Sequence, residues 1–251
     1  MKENLFSIKN QVIIITGGGS GIGREIAIAM ANNKAIVYCF DIIFNKDLDD
    51  SYGSIAEIKV DITKELAVQK ECNKIYEIHN RIDVLINNAG ITYPSNDSEL
   101  YQYSNWEKTL NVNLTGAFIC SQAVLTLMKK NKGGSIINIT SLNAELAFPK
   151  NPAYVASKGG LKMLGKAFAA DWGKYGIRVN NLGPGYIKTS MTETSFKNKQ
   201  TREQREEKTM LGRWGNVDDL VGPAIFLASD ASRYITGQDI YIDGGWLSKG
   251  L

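Results

Sequence analysis

Histidine occurs once in this chain, at position 79, and cysteine three times, at 39, 72 and 120. A lone histidine removes His-based catalytic triads and argues against a catalytic metal site. Cysteines that are odd in number and far apart suggest neither a disulfide framework nor a zinc cluster, and they fit a reducing cytoplasm. A thiol nucleophile is the alternative for each, but their apolar flanks favour core packing. Excess charge is also scarce. With 29 Lys and Arg against 26 Asp and Glu the net charge is +3, and the basic residues form no runs. That gives no case for nucleic acid or an anionic membrane, and a small molecule is the expected partner. No stretch approaches the length of a bilayer span, and Val12 to Ile15 is too short for the apolar core of an export signal. Pro- or Ser-rich linkers and fixed-period repeats are missing, so residues 1–251 read as a single domain.

What is present is a regular alternation of strand and helix. Val12 to Ile15 is a continuous apolar run, as expected of a strand covered on both faces. Further strands are expected at Ala35–Phe40, Ile55–Val60, Ile82–Ile86, Ser135–Ile139, Ile177–Asn181 and Asp239–Ile242. Between them the apolar spacing predicts helices after Gly21 and over about Thr63–Ile78, Trp106–Lys130, Pro152–Lys174 and Val217–Ala228. Such alternation implies an α/β fold, a doubly wound sheet of seven parallel strands with helices on both faces. The segment 186–212 differs: it is polar, of mixed charge and rich in threonine. It reads equally as a substrate lid or as a solvated pair of amphipathic helices.

The first strand runs into Thr16-Gly17-Gly18-Gly19-Ser20-Gly21-Ile22-Gly23, which opens the first helix. Glycines at this turn allow backbone N–H groups to approach a pyrophosphate, and the helix N-terminus adds partial positive charge. A glycine pattern alone is weak evidence, since glycine also marks ordinary turns. Its place between strand and helix strengthens it, as does Asp41, 18 residues after Gly23 at the end of the second strand. A carboxylate there suits the adenosine ribose hydroxyls and repels a 2′-phosphate, which favours NAD over NADP. Ile42, Ile43 and Phe44 offer no cation to offset that repulsion; Lys46 is the one nearby that can. Asp61 at the end of the third strand suits either the adenine amino group or the cap of the following helix.

Tyr154 and Lys158 stand four residues apart on one predicted helix, and Ser141 precedes the tyrosine by thirteen at a strand end. An ammonium one turn away favours the phenolate. At about 4 Å and an effective dielectric near 20, one charge is worth about 4 kcal/mol, enough to depress the phenol by up to about three units. Ser141 is placed to hold a carbonyl by a hydrogen bond. A Tyr–Lys pair alone is usually a solvated helix face; the serine and the nucleotide turn give it meaning.

Thr16 to Gly23, Asp61, Asn87-Asn88-Ala89-Gly90, Asn113 within Asn111-Val112-Asn113-Leu114, Ser141, Tyr154 with Lys158, and Pro184-Gly185 follow one another in the order of a known family. From about Gln11 to Trp246 the chain resembles a classical short-chain dehydrogenase/reductase. The resemblance implies Tyr154 as general acid–base, with Lys158 lowering its pKa and binding the nicotinamide ribose. It implies Ser141 as the group that orients substrate and Asn113 as the holder of a water between Lys158 and solvent. The cofactor contacts it implies are Gly17, Ser20, Gly21, Ile22, Gly23, Asp41, Asp61, Ile62, Asn88, Ala89, Gly90, Tyr154, Lys158, Pro184, Gly185, Ile187 and Thr189, with no metal. It further implies a homotetramer built on the two long helices.

The end of the chain narrows the resemblance. Gly183 to Thr189, Gly212-Arg213-Trp214-Gly215, Asp218-Asp219-Leu220 and Asp243 to Leu247 look like the branch that oxidises sugar acids, such as gluconate 5-dehydrogenase and 2-deoxygluconate 3-dehydrogenase. Asn143 and Glu145 are candidates for substrate hydroxyls, and Lys150, Lys188 and Arg202 for a carboxylate. A 3-oxoacyl-carrier-protein reductase is the competing reading, and Asp41 opposes its usual NADPH. A non-enzymatic nucleotide-binding regulator is the other, and it would have no use for Ser141 and Tyr154.

Overall fold

A computed structural model describes residues 4–44 and 55–249. Lys46 therefore lies outside the described residues. Seven strands, β1 (Val12–Thr16), β2 (Ile36–Asp41), β3 (Ile55–Lys59), β4 (Val84–Asn87), β5 (Gly134–Ile139), β6 (Ile177–Pro184) and β7 (Asp239–Ile242), form one sheet in the order β3-β2-β1-β4-β5-β6-β7. Every pairing is parallel, as the alternating pattern requires.

Alternation along each strand divides the core in two. From β1, Val12 and Ile14 enter a layer that also contains Val68 and Cys72 of α2 (Glu65–His79), Val124 of α4 (Ala117–Lys130) and Phe168 of α5 (Pro152–Trp172). Ile13 and Ile15 face the other side, with Ile26 and Met30 of α1 (Gly21–Asn32) and Leu227 of α8 (Val221–Ala228). Two layers of helix on one sheet bury β1 completely, which is why its sequence is apolar without alternation. The three cysteines are buried and unpaired, and burial raises each thiol, Cys39 and Cys72 to about 12. They are core residues. Among the described residues no three of His, Cys, Asp and Glu gather into a metal-binding group.

Sequence and structure part in three places. The helix expected over Trp106–Lys130 starts earlier, as α3 (Tyr103–Leu110), passes through a π-helical turn at Asn111–Gly116, and continues as α4. Joined end to end, Tyr103–Lys130 is long and apolar enough to cross a membrane by length and composition, contrary to the expectation that no stretch approaches that length. In the fold it packs on α2 and α5. β6 runs on through Pro184, because Leu182 to Pro184 pair with Ile240 to Ile242 of β7. The helix expected from Val217 begins as a 3₁₀ turn, Val217–Leu220, where Asn216 and Asp219 cap each other reciprocally. Segment 186–212 agrees with one of its two readings: it holds a helix pair, α6 (Glu193–Lys197) and α7 (Lys199–Glu206), after a short 3₁₀ turn.

Candidate active site

In a sheet of this topology the connections diverge outside the carboxyl ends of β1 and β4, and ligands bind in that crevice. Here the crevice is a cleft of about 460 Å³. Thr16 ends β1 and fixes its rim. Its hydroxyl accepts from the backbone N–H of Asn88 at 3.0 Å and of Ala89 at 3.1 Å, so the turn after β4 is clamped to the turn after β1. Gly17 takes φ +67°, a region open to glycine, and a Cβ there would meet the Ala89 backbone at 2.8 Å.

Most of the expected cofactor contacts line this cleft, from Gly17 and Ser20 through Asp41, Asp61 and Ala89 to Pro184 and Thr189. Gly23 does not. It faces the preceding turn, where a Cβ would lie 2.3 Å from Gly17 O and from Asn88 Nδ2. Its part is to let α1 pack tightly beneath the cleft. Asn113 also stays out of the wall.

The residues present fit a dinucleotide. Ser20 precedes α1 without a side-chain cap, so the first-turn N–H groups keep their donors for an anion. A Cβ at Gly21 would meet nothing within 4 Å, which marks open space in front of that turn. Asp41 Oδ2 accepts from Gly19 N at 2.9 Å, and Oδ1 from Ile42 N at 2.7 Å and Ile43 N at 3.3 Å. A carboxylate offers about four acceptor positions, so Asp41 both shapes the loop and keeps capacity for a hydroxyl. Asp61 Oδ1 accepts from Thr63 N and Thr63 Oγ1, the capping alternative, while the carboxylate still lines the cleft. Ile187 N–H has no partner among the described residues, and its carbonyl accepts from Thr192 Oγ1.

At the other end of the cleft Ser141, Tyr154 and Lys158 meet. Ser141 follows β5 and caps the turn Leu142–Ala144, exchanging hydrogen bonds with Asn143. Pro152 at the first position of α5 starts the helix that carries the other two. Lys158 is buried, and its Nζ donates to Ile139 O at 2.7 Å and lies 5.6 Å from the centre of the Tyr154 ring. The π-helical turn rotates Asn113 inward. Its Nδ2 donates to Ile91 O and Ser157 Oγ, its Oδ1 accepts from Ile91 N, and a Cβ at Gly90 would lie 3.5 Å from that oxygen and 3.6 Å from Lys158 Nζ.

The electrostatics correct the sequence-based argument. Burial raises the Tyr154 phenol above its ordinary value, the Ser141 hydroxyl lowers it, and the neighbouring Tyr186 raises it again. Burial also pulls Lys158 down to about 8. At 5.6 Å from the ring, with its proton shared to a carbonyl, the ammonium does not overcome desolvation of the phenolate. Tyr154 is thus a protonated phenol at neutral pH, set to donate.

Lys158 carries a stability consequence. Its pKa is lower folded (about 8) than unfolded (10.5), so the unfolded chain holds the extra proton between those values. Stability then rises with pH across that window. At pH 7 the buried charge costs ~3 kcal/mol. Urea unfolding should show wild type gaining on Lys158→Met by about 1–3 kcal/mol from pH 7.5 to pH 10. A gap that does not change with pH would refute the assignment.

Several sequence-based candidates for substrate contacts lie elsewhere. Glu145 is held by Lys162 and accepts from Tyr241 OH at 2.6 Å, and these hydrogen bonds lower its pKa, so it is not a free acceptor. Lys150, Lys188 and Arg202 do not line the cleft, and Lys188 and Arg202 lie against the ring of Phe196. Sequence reasoning missed the clamp made by the Thr16 hydroxyl and the electrostatic influence of Tyr186 on Tyr154. A threonine ending a buried strand was the only available signal for the first; nothing in the sequence marked the second.

With this geometry in view, the sequence can be set against known proteins. The profile of the family described as Enoyl-(Acyl carrier protein) reductase matches residues 17–247. The chain belongs to the short-chain dehydrogenase/reductase family. It is 37% identical to 2-dehydro-3-deoxy-D-gluconate 5-dehydrogenase of Bacillus subtilis over 252 aligned positions, covering 98% of each chain. It is 35% identical to gluconate 5-dehydrogenase of Gluconobacter oxydans, covering 96% of each. Among solved structures, a gluconate 5-dehydrogenase from Burkholderia cenocepacia in complex with NADP and tartrate superposes with a TM-score of 0.90 at 32% identity, covering 98% of each chain. As a short-chain dehydrogenase/reductase the protein is an NAD(P)-binding oxidoreductase acting on CH–OH groups, and its seven-stranded parallel sheet has that family's topology.

Proposed function

We propose that this short-chain dehydrogenase/reductase interconverts a secondary alcohol and a ketone on a sugar acid or related keto-sugar, with NAD as its preferred cofactor. The observation that carries the reading is the convergence of Ser141, Tyr154 and Lys158 at one end of a cleft whose other end is closed by Asp41. NAD bound in the cleft supplies a hydride acceptor for oxidation, and its reduced form a donor for reduction. Tyr154 gives its proton to the carbonyl oxygen in reduction; in oxidation the hydroxyl proton passes to its deprotonated form, the phenolate, so the phenol must first lose its own proton to solvent. Ser141 holds that oxygen by a hydrogen bond. Lys158 keeps a positive charge near the phenol and binds the nicotinamide ribose, and Asn113, beside Lys158 Nζ, keeps acceptor capacity on Oδ1 for a water leading to solvent.

The named relatives act on gluconate-type substrates, which supports a sugar acid. Asp41 supports NAD through its negative charge at the ribose end, although similar structures hold NADP. Residues 186–212 act as a lid over one catalytic domain. We also propose a homotetramer assembled on the α4–α5 faces, where Phe118 and Met163 are exposed and the Phe118 ring stands 6.0 Å from that of Phe168.

The test is a panel of aldonates, keto-sugar acids, polyols and acyl thioesters, read by the absorbance of reduced nicotinamide. The expected result is turnover confined to sugar acids and their keto forms. Turnover of acyl thioesters alone would replace the reading with an acyl-chain reductase.

A further inference from the structure

We propose that Arg205 binds the substrate carboxylate and so selects acids over neutral sugars; this rests on the sugar-acid reading above. Tyr186 lies between Gly185 and Ile187, both of which line the cleft; its own side chain and that of Arg205 stand behind this lining, in an aromatic cluster. Its ring stands 5.1 Å from Trp214, 5.3 Å from Trp246 and 6.0 Å from Phe148. Arg205, in the last turn of α7, lays its guanidinium over the Tyr186 ring with Cζ 3.9 Å from the centroid. The stack fixes the plane of the fork.

Among the described residues that cation has no carboxylate partner, whereas its neighbours on the same helix, Lys199 and Arg202, each have one. Its Nε is buried and has no hydrogen-bond partner. A buried guanidinium N–H without an acceptor is uncommon, and a planar fork of donors matches a carboxylate in bidentate geometry. Tyr186 also touches the catalytic end electrostatically, since it raises the Tyr154 phenol; burial raises Tyr186 itself, and Arg205 works against that rise. Tyr186 thus stands between the two in the chain of contacts, close enough to Tyr154 to act on its phenol and stacked under Arg205. A sugar acid oxidised at a carbon some way along its chain spans those contacts with its carboxylate at Arg205. The helix pair α6–α7 then contributes a substrate contact as well as a cover.

The experiment compares D-gluconate with D-glucitol, the same carbon chain with a neutral end, in wild type, Arg205→Met and Arg205→Lys. NAD binding and melting temperature serve as controls for folding. Arg205→Met should raise KM for gluconate by about 10- to 100-fold with kcat little changed, and leave glucitol kinetics within about twofold. Arg205→Lys keeps the charge but loses the fork, and should recover part of the gluconate KM. If wild type prefers gluconate and Arg205→Met keeps that preference, Arg205 is overturned and the sugar-acid reading stands. Equal losses on both compounds would make Arg205 a support for Tyr186 and also overturn the proposal. If wild type shows no preference for the acid, the sugar-acid reading fails and the role of Arg205 falls with it.

Discussion

Tyr154→Phe should lower kcat in both directions by about 10³- to 10⁴-fold while NAD binds within about threefold of wild type. The substitution keeps the ring, its volume and its place in the wall of the cleft, and it removes only the hydroxyl that exchanges a proton with the reacting oxygen. Lys158 Nζ keeps its bond to Ile139 O, and Ser141 keeps Asn143. Nothing that shapes the turn Gly17–Gly23 is touched, so cofactor affinity is the internal control. Isothermal titration with NAD and steady-state turnover separate the two. Retention of more than about a tenth of wild-type kcat would remove Tyr154 from its role, because a positioned acid–base group contributes at least about 10²-fold.

The second large effect is expected at Asp41. Asp41→Ala should shift the ratio of kcat/KM for NADP over NAD upward by about 10- to 100-fold. A unit charge about 4 Å from a phosphate is worth about 4 kcal/mol at an effective dielectric near 20, and solvent screening at this half-buried position reduces that to about 1–3 kcal/mol. The alanine also deprives the backbone N–H groups of Gly19, Ile42 and Ile43 of their carboxylate acceptor, so some loss of stability accompanies the shift. Asp41→Asn separates the effects: it removes the charge, keeps one oxygen as acceptor, and should switch preference with less destabilisation. A wild-type enzyme with higher kcat/KM for NADPH than for NADH would contradict the account of Asp41.

The sheet was legible in the sequence because parallel strands buried on both faces leave unbroken apolar runs, as Val12 to Ile15 does. The ends of elements were less so. β6 reaches Pro184 only because β7, more than fifty residues later, pairs with it, and no local pattern carries that information. The π-helical turn at Asn111–Gly116 was equally hidden, since apolar spacing of period 3.6 does not register one widened turn, yet it is what turns Asn113 toward Lys158. The catalytic trio was legible from order and spacing. Its electrostatics were not, because the sequence places Lys158 one turn from Tyr154 but says nothing of how completely both are buried. Burial decides the sign, raising the phenol and lowering the amine. Among cations, Lys150, Lys188 and Arg202 had looked as suitable as any for a carboxylate. Only three-dimensional packing distinguishes Arg205, stacked on Tyr186, from the paired and solvated charges around it.

Hydride transfer itself is read most directly with a sugar acid deuterated at the carbon that becomes the ketone, incubated with NAD and the wild-type enzyme. The account predicts deuterium on C4 of the reduced nicotinamide, in amount equal to the ketone formed. Ketone produced with the label released to solvent, or reduced nicotinamide carrying none of it, would contradict it.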